Sequence, residues 1–160
     1  MLDGSSVVVA LKRAGVTHVV WLPDSELGTW EAALTGEGGL PLIRVCREGE
    51  AFAVAAGLHL GGKHPVVLIQ CTGLFEAGDA LRNVVHDLKL PIFAIVGVRN
   101  YFAHQKGQTK DSCPIYTEPI FRAWQIPYSV LIEQQSADDL AAAYKTARAQ
   151  GKAAAVLIAE

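Results

Sequence analysis

The chain has no long apolar run, no paired cysteines and no concentration of positive charge. Its longest apolar stretch, LPIFAIVGV at 90–98, falls far short of the roughly 20 residues that a membrane-crossing helix requires, so no membrane partner is expected. The first residues, MLDGSSVVVALKRAG, place no basic leader before the apolar stretch, and Lys12 and Arg13 break it. No secretory signal is read there, and a cytoplasmic protein is expected. The 14 Lys and Arg are scattered among 16 Asp and Glu, for a formal net charge of −2. That leaves no broad basic field to grip a phosphate backbone, and no row of aromatics offers a base-stacking surface, so nucleic acid is not an expected partner. The 3 cysteines, Cys46, Cys71 and Cys113, form no C-x-x-C pair, which argues against a zinc knuckle or a disulfide framework. His59, His64 and His86 lack metal-ligand spacing, and no metal ligand is assigned to this chain. No linker, repeat or low-complexity tract divides it.

What is present is an alternation. The chain has 160 residues, 51% of them apolar and 19% charged, enough for one core and one domain over 1–160. Short runs rich in Val, Ile and Leu, without polar alternation, occur at 18–22, 42–46, 65–71, 91–98, 128–133 and 154–159. Such runs read as strands buried on both faces of a parallel sheet. Between them helices are predicted at 4–14, 26–35, 48–61, 76–88, 117–125 and 136–150. The last opens on Ser136 with Asp138 and Asp139 in its first turn and closes before Gly151, a cap at each end. The fold class is α/β: a three-layer α/β/α domain with about six parallel strands flanked by helices. Trp21, Trp30 and Trp124 are read as core or interface residues.

In such a sheet, ligands collect at the carboxyl ends of the strands. These ends carry PDSELG (23–28), REGE (47–50), CTGLFEAG (71–78) and the long 99–116 connection. The last exceeds the roughly 12–15 residues usual for a structureless loop and is read as functional. Glu48 stands in the first turn of its helix, with Ala51, Val54, Ala55 and Leu58 along the inward face. An acid there could simply complement the helix dipole. Gly73 could simply serve a tight turn, Ser25 could cap the next helix, and His104 could be a solvated loop residue.

Taken together, REGEAFAVAAGLHLGGK, LPDSELG and QCTGLFEAGDALRNVVHDLKLPIFAIVGVRN resemble, in order, the pyrimidine-binding (N-terminal) domain of thiamine-diphosphate-dependent enzymes. In that domain a glutamate opens a small-residue helix that contains a later glycine, here Gly57. The P-D-S turn is most similar to that of phosphonopyruvate decarboxylases and of the sulfopyruvate decarboxylase alpha subunit. The resemblance implies a thiamine-diphosphate-dependent 2-oxoacid decarboxylase, a carboxy-lyase. Thiamine diphosphate supplies the electron sink. Glu48 would hydrogen-bond N1′ of the aminopyrimidine and promote the imino tautomer whose 4′ nitrogen takes the C2 proton, a role suited to a carboxyl group in a poorly hydrated, small-residue surround. Pro23, Thr72, Gly73 and Leu74 fall at cofactor positions. Asp24, Ser25, Arg99, Gln105 and Gln108 fall on the substrate side, with Asp24 and His104 as further catalytic candidates.

The family's metal-binding G-D-G motif is absent; Asp79 and Asn83 lie on a helix at the wrong spacing. The resemblance therefore implies a pyrimidine-binding subunit, active only in a hetero-oligomer with a separate diphosphate-binding (beta) subunit that holds Mg²⁺. Departures from the relatives' pattern are Cys71 in place of an asparagine, Phe75 in place of a glycine, and VRN in place of W-R-G. They point to a site less suited to a sulfonate or phosphonate. Cys71 is expected to line the site without acting as a nucleophile, since the cofactor already supplies covalent catalysis. A carboligase or other lyase using the same cofactor, and a non-catalytic module of the same fold, are the alternatives.

Overall fold

Every apolar run becomes a strand, and where each run sits in the sheet follows how apolar it is. In the computed structural model, which describes residues 2–132 and 135–160, the strands are β1 (His18–Trp21), β2 (Leu42–Arg44), β3 (Pro65–Gln70), β4 (Phe93–Val98), β5 (Tyr128–Leu131) and β6 (Ala154–Ala159). All pair in parallel in the order β2-β1-β3-β4-β6-β5. The central β3, β4 and β6 are buried along almost their whole length. The edges β2 and β5 are only part-buried, so two-sided burial holds for the middle of the sheet and not for its margins. The predicted 128–133 run ends at Leu131, and its residue 133 lies outside the described residues.

Helices cover both faces. On one, α1 (Gly4–Arg13), α2 (Glu31–Thr35) and α8 (Ala137–Gln150) pack Leu11, Trp30, Leu34, Leu140 and Tyr144 against Val19 and Trp21. On the other, α3 (Glu48–Leu60), α4 (Cys71–Glu76), α5 (Gly78–Arg82) and α7 (Cys113–Ala123) pack Phe52, Ala55, Leu74, Ala77 and Phe121 against Val20, Ile69 and Val96. Each fully buried aliphatic or Phe side chain contributes about 1.5–3 kcal/mol. The inward face of α3 is made by Ala51, Phe52, Ala55 and Ala56, with Glu48 buried at its head. Val54 and Leu58 are only partly buried on its flank.

Three predicted helices and one predicted loop are redrawn. Only the second half of 26–35 is α-helical: a 3₁₀ turn at Gly28–Trp30 leads into the short α2. The 76–88 helix starts earlier, at Cys71, straight off β3, and is broken into α4, α5 and a π-helical turn over Asn83–Asp87. The 99–116 connection is not structureless, since it contains α6 (Tyr101–Gln105). The 117–125 helix becomes α7, which begins at Cys113 because Pro114, in its first turn, needs no donor there. The predicted 136–150 helix stands, with a reciprocal Ser136–Asp139 capping box and Gly151 in the left-handed conformation at its end. Trp124 lies just past α7, partly buried in the second core.

The chain leaves β1 on one face of the sheet and β3, its neighbour, on the other. The crevice at the carboxyl ends of β1 and β3 is therefore the topological switch point, the place where a doubly wound sheet accepts a ligand.

Candidate functional site

The turn after β1 is fixed by Asp24. Its Oδ1 accepts hydrogen bonds from the backbone N–H of Glu26 at 2.9 Å and of Leu27 at 2.7 Å, and its Oδ2 accepts from the Trp21 indole at 3.0 Å. Both oxygens of this predicted catalytic residue thus hold the turn. Pro23 and Ser25 are exposed, and the Ser25 hydroxyl donates to Glu26 Oε1 at 3.2 Å.

Glu26 itself is 3% exposed, and Gly97 of β4 makes its place: a Cβ at that glycine would lie 2.9 Å from the Glu26 Cβ. With the Gln70 amide oriented to suit its neighbours, its nitrogen donates to the two Glu26 carboxylate oxygens at 3.2 and 2.9 Å, and its oxygen accepts from Thr72 Oγ1 at 3.0 Å. Burial, reinforced by the Asp24 charge, raises the Glu26 pKa; the Ser25 hydroxyl and Arg99 act against that shift. Glu26 is absent from the sequence-derived set of site residues. A lone acid inside PDSELG reads as part of a polar turn, and its partners Gln70 and Gly97 belong to other strands.

Glu48 opens α3. The polar work of starting that helix falls to other acids: Glu76 of α4 accepts from the Gly49 N–H at 2.9 Å and from Arg47 Nε at 2.8 Å, and Glu50 accepts from the Cys46 N–H at 3.0 Å. Glu48 is 9% exposed, and among the described residues none donates a hydrogen bond to its carboxyl group. The group lies over Gly73 of α4, where a Cβ would stand 2.6 Å from Glu48 Oε1 and 2.8 Å from its Cδ. Gly73 is thus required by a close approach and not by a turn, since it lies inside a helix and its φ is not positive. Thr72 beside it is half-buried. Leu74 is fully buried in the core with Ala51 and Ala55, so it backs the site from below. Gly57 stands on the exposed side of α3 with nothing near it.

At the end of β4, Arg99 Nε donates to Asp111 Oδ2 at 2.7 Å, its NH2 group reaches Cys113 Sγ at 3.4 Å, and its NH1 group lies 3.9 Å from Glu26 Oε1. Asp111 also accepts from the Asn100 amide at 3.0 Å and from the Cys113 N–H at 2.9 Å. The Cys113 N–H, with Arg99 and Asn100, holds the Asp111 carboxyl well below the usual range. This cluster closes the 99–113 segment back on the sheet. Cys71 does not line the site as expected: it is 0% exposed in the core, and burial pushes its thiol up to about 12.

Contacts run from Asp111 through Arg99, Glu26 and Gln70 to Thr72, with Glu48 beside them across Gly73. His104, half-buried, and Gln105 and Gln108, both exposed, sit on the segment above. The backbone bonds of His104 (to Asn100, 2.8 Å) and Gln108 (to Ala103, 2.8 Å) stay within that segment. No group of three or more His, Cys, Asp or Glu among the described residues could hold a metal ion. No helix is long and apolar enough to cross a membrane, again among the described residues.

The fold and site define a doubly wound parallel α/β domain that presents the carboxyl group of the largely buried Glu48, without a described hydrogen-bond donor, at its switch-point rim. Residues 3–115 match the family described as "Thiamine pyrophosphate enzyme, N-terminal TPP binding domain", and the chain belongs to that family. It is similar to the sulfopyruvate decarboxylase subunit alpha of Methanothermobacter thermautotrophicus, with 33% identity over 99 residues, 61% of this chain and 60% of the relative. With the subunit of the same name from Methanococcus maripaludis it shares 29% identity over 130 residues, 80% of this chain and 76% of the relative. With the phosphonopyruvate decarboxylase of Streptomyces viridochromogenes it shares 32% identity over 95 residues, 59% of this chain but 24% of that longer protein. Among solved structures, benzoylformate decarboxylase from Polynucleobacter necessarius superposes with a TM-score of 0.72 over 99% of this chain and 30% of its own, at 19% identity. That last likeness concerns the fold.

Proposed function

We propose that the chain is the pyrimidine-binding subunit of a two-subunit thiamine-diphosphate-dependent 2-oxoacid decarboxylase, like the sulfopyruvate and phosphonopyruvate enzymes. One observation carries the reading: the carboxyl group of Glu48, a residue only 9% exposed, has no described hydrogen-bond donor and sits over a glycine whose missing side chain leaves it room. The carboxyl oxygens of Glu48 are not among the fully enclosed, unsatisfied atoms of the described residues, so they can be reached from outside, and a ligand that brings its own hydrogen-bonding nitrogen would give them a partner. The residues present fit the aminopyrimidine in this respect.

Thiamine diphosphate, when bound, supplies the electron sink for loss of CO₂ from a 2-oxoacid. Glu48 holds and shares a proton at its carboxyl oxygen with the pyrimidine N1′. Gly73 keeps that carboxyl in place, Leu74 and Ala51 keep water from beneath it, and Thr72 and Pro23 border it. Asp24 acts by setting the turn that presents Ser25 and Glu26. Ser25, Arg99, His104, Gln105 and Gln108 face the substrate side. A separate subunit would hold the diphosphate and Mg²⁺, a reading supported by the "subunit alpha" names of two of the relatives. One domain over 1–160, a hetero-oligomer and a cytoplasmic setting belong to the same reading.

The test is decarboxylation by the chain combined with its diphosphate-binding subunit, thiamine diphosphate and Mg²⁺, wild type against Glu48→Gln. Activity that needs both chains and falls at least about 100-fold in the variant supports the reading. Wild-type activity in the variant removes Glu48 from the mechanism, and a new carbon–carbon bond in place of aldehyde and CO₂ assigns the site to a carboligase.

A further inference from the structure

We infer that the site takes a 2-oxoacid whose distal group carries no negative charge; this rests on the decarboxylase reading above and narrows its substrate. Sulfopyruvate and phosphonopyruvate each carry a second anionic group, and a site that binds one needs a cation free to meet it. The arginines at the carboxyl-end rim are already engaged. Arg44 places Nε and one terminal nitrogen 3.2 and 2.6 Å from Glu31 Oε1, and Arg47 is paired to Glu76 through Nε at 2.8 Å. Arg99, the one that borders the switch point, is paired to Asp111 at 2.7 Å with Glu26 at 3.9 Å on its other side.

The balance around Arg99 holds in either protonation state of Glu26. With Glu26 protonated, Arg99 and Asp111 cancel; with Glu26 ionised, the group carries a net negative charge. Glu160 adds another acid at the end of β6, beside β4, and its Oε1 is buried without a hydrogen-bond partner. Asp111 takes only the Nε of Arg99, so an incoming sulfonate could reach the terminal nitrogens only by sharing one cation with Asp111 and lying among Asp111, Glu26 and Glu160, where its second charge is uncompensated. Lys106 and Lys110 on the same segment are exposed and strongly hydrated, point charges of low geometric selectivity. Arg99 is thus the latch of the 99–113 segment, and a neutral substrate tail passes it without breaking the latch.

The experiment uses the chain reconstituted with its diphosphate-binding subunit, thiamine diphosphate and Mg²⁺, and compares kcat/KM for sulfopyruvate and phosphonopyruvate with that for 2-oxobutanoate and 4-methyl-2-oxopentanoate. The neutral-tailed acids are expected to lead by on the order of tenfold or more, the effect of one uncompensated charge near Asp111 and Glu26. Glu26→Gln is expected to narrow the gap several-fold by lowering KM for the sulfonate. Asp111→Asn should do the same where the segment stays folded, and the wild-type ratio decides the matter where it does not. Turnover of the sulfonate or phosphonate at or above the neutral acids overturns the inference and leaves the decarboxylase standing. Absence of turnover with every 2-oxoacid overturns the decarboxylase reading and the inference with it.

Discussion

Replacing Gly73 by alanine separates folding from function at this site. The added Cβ would stand 2.6 Å from Glu48 Oε1 and 2.8 Å from its Cδ, well inside van der Waals contact, so the carboxyl group must move. What it meets is the Glu48 side chain from its Cγ outward, and not backbone. Relief therefore costs Glu48 an off-rotamer or alternative χ angle, about 0.5–1.5 kcal/mol, while alanine for glycine inside a helix returns up to about 1 kcal/mol. The two nearly cancel, and at about 2–4 °C per kcal/mol for a chain of this size the unfolding midpoint should move by no more than a few degrees. Catalysis has no such compensation, because a displacement of about 1 Å can cost on the order of 100-fold. The assay pairs thermal unfolding of the chain with decarboxylation by the reconstituted complex. Gly57→Ala is the control: it makes the same change in α3, where nothing lies within 4 Å of the added atom, and it should stabilise by about 0.5–1 kcal/mol with activity kept. A Gly73→Ala complex that turns over like wild type would refute the assignment of Gly73 as the seat of the working carboxyl.

Other perturbations address the neighbouring acids. The folded-state pKa of Glu26 is raised above the ordinary 4.5, so above that pH the folded chain keeps a proton that the unfolded chain releases, and stability falls as pH rises through the window. Glu26→Gln should flatten that fall in a series of unfolding midpoints from about pH 4.5 upward; an unchanged slope would contradict the burial argument. Asp111 behaves in the opposite sense. Its pKa lies below the ordinary 3.8, so its contribution is present above that value and lost as pH drops through the lower folded value. Asp111→Asn should cost about 1–2 kcal/mol in denaturant unfolding at neutral pH, allowing for partly exposed Arg99, and no loss would mean that the latch carries no load. Asp24→Ala should cost about 1–2 kcal/mol through two freed N–H groups and an unpaired indole, whereas Asp24→Asn keeps an acceptor and most of the stability. Should the asparagine variant fold normally yet lose activity, Asp24 touches substrate directly.

The layers of the fold were legible because each strand run is apolar without interruption, as in VVLI of β3 and FAIVGV of β4, and because α8 announces both its ends. The start of α4 was hidden by chemistry that looks like a turn. Thr72-Gly73 reads as a break, yet the glycine is there to admit Glu48, a requirement that arises between α3 and α4 and is written in neither segment alone. Glu48 was found through its resemblance to a family, since composition favoured a dipole-complementing acid; the structure gives that task to Glu76 and Glu50. Glu26 could not be found from its own surroundings, because what buries it is Gly97, on a strand two places along the sheet. The Arg99–Asp111 latch was missed for a similar reason: the eleven residues between the two ends do not show that the ends are hydrogen-bonded.

The two rims of the sheet are built by different means. At the amino-terminal rim, a residue shortly before each of the six described strands takes a left-handed backbone conformation: Gly15, Gly38, Gly62, Lys89, Gln125 and Gly151. These reversals are set by main-chain geometry, and Gly62, Lys89, Gln125 and Gly151 are exposed. A peptide tag, a fluorophore or a surface tether introduced beside Lys89 or Lys152 would therefore hang from the side of the molecule away from the acids, with the length of the strands between them. The chain can be held by one end of its strands while the other end remains open to whatever meets it.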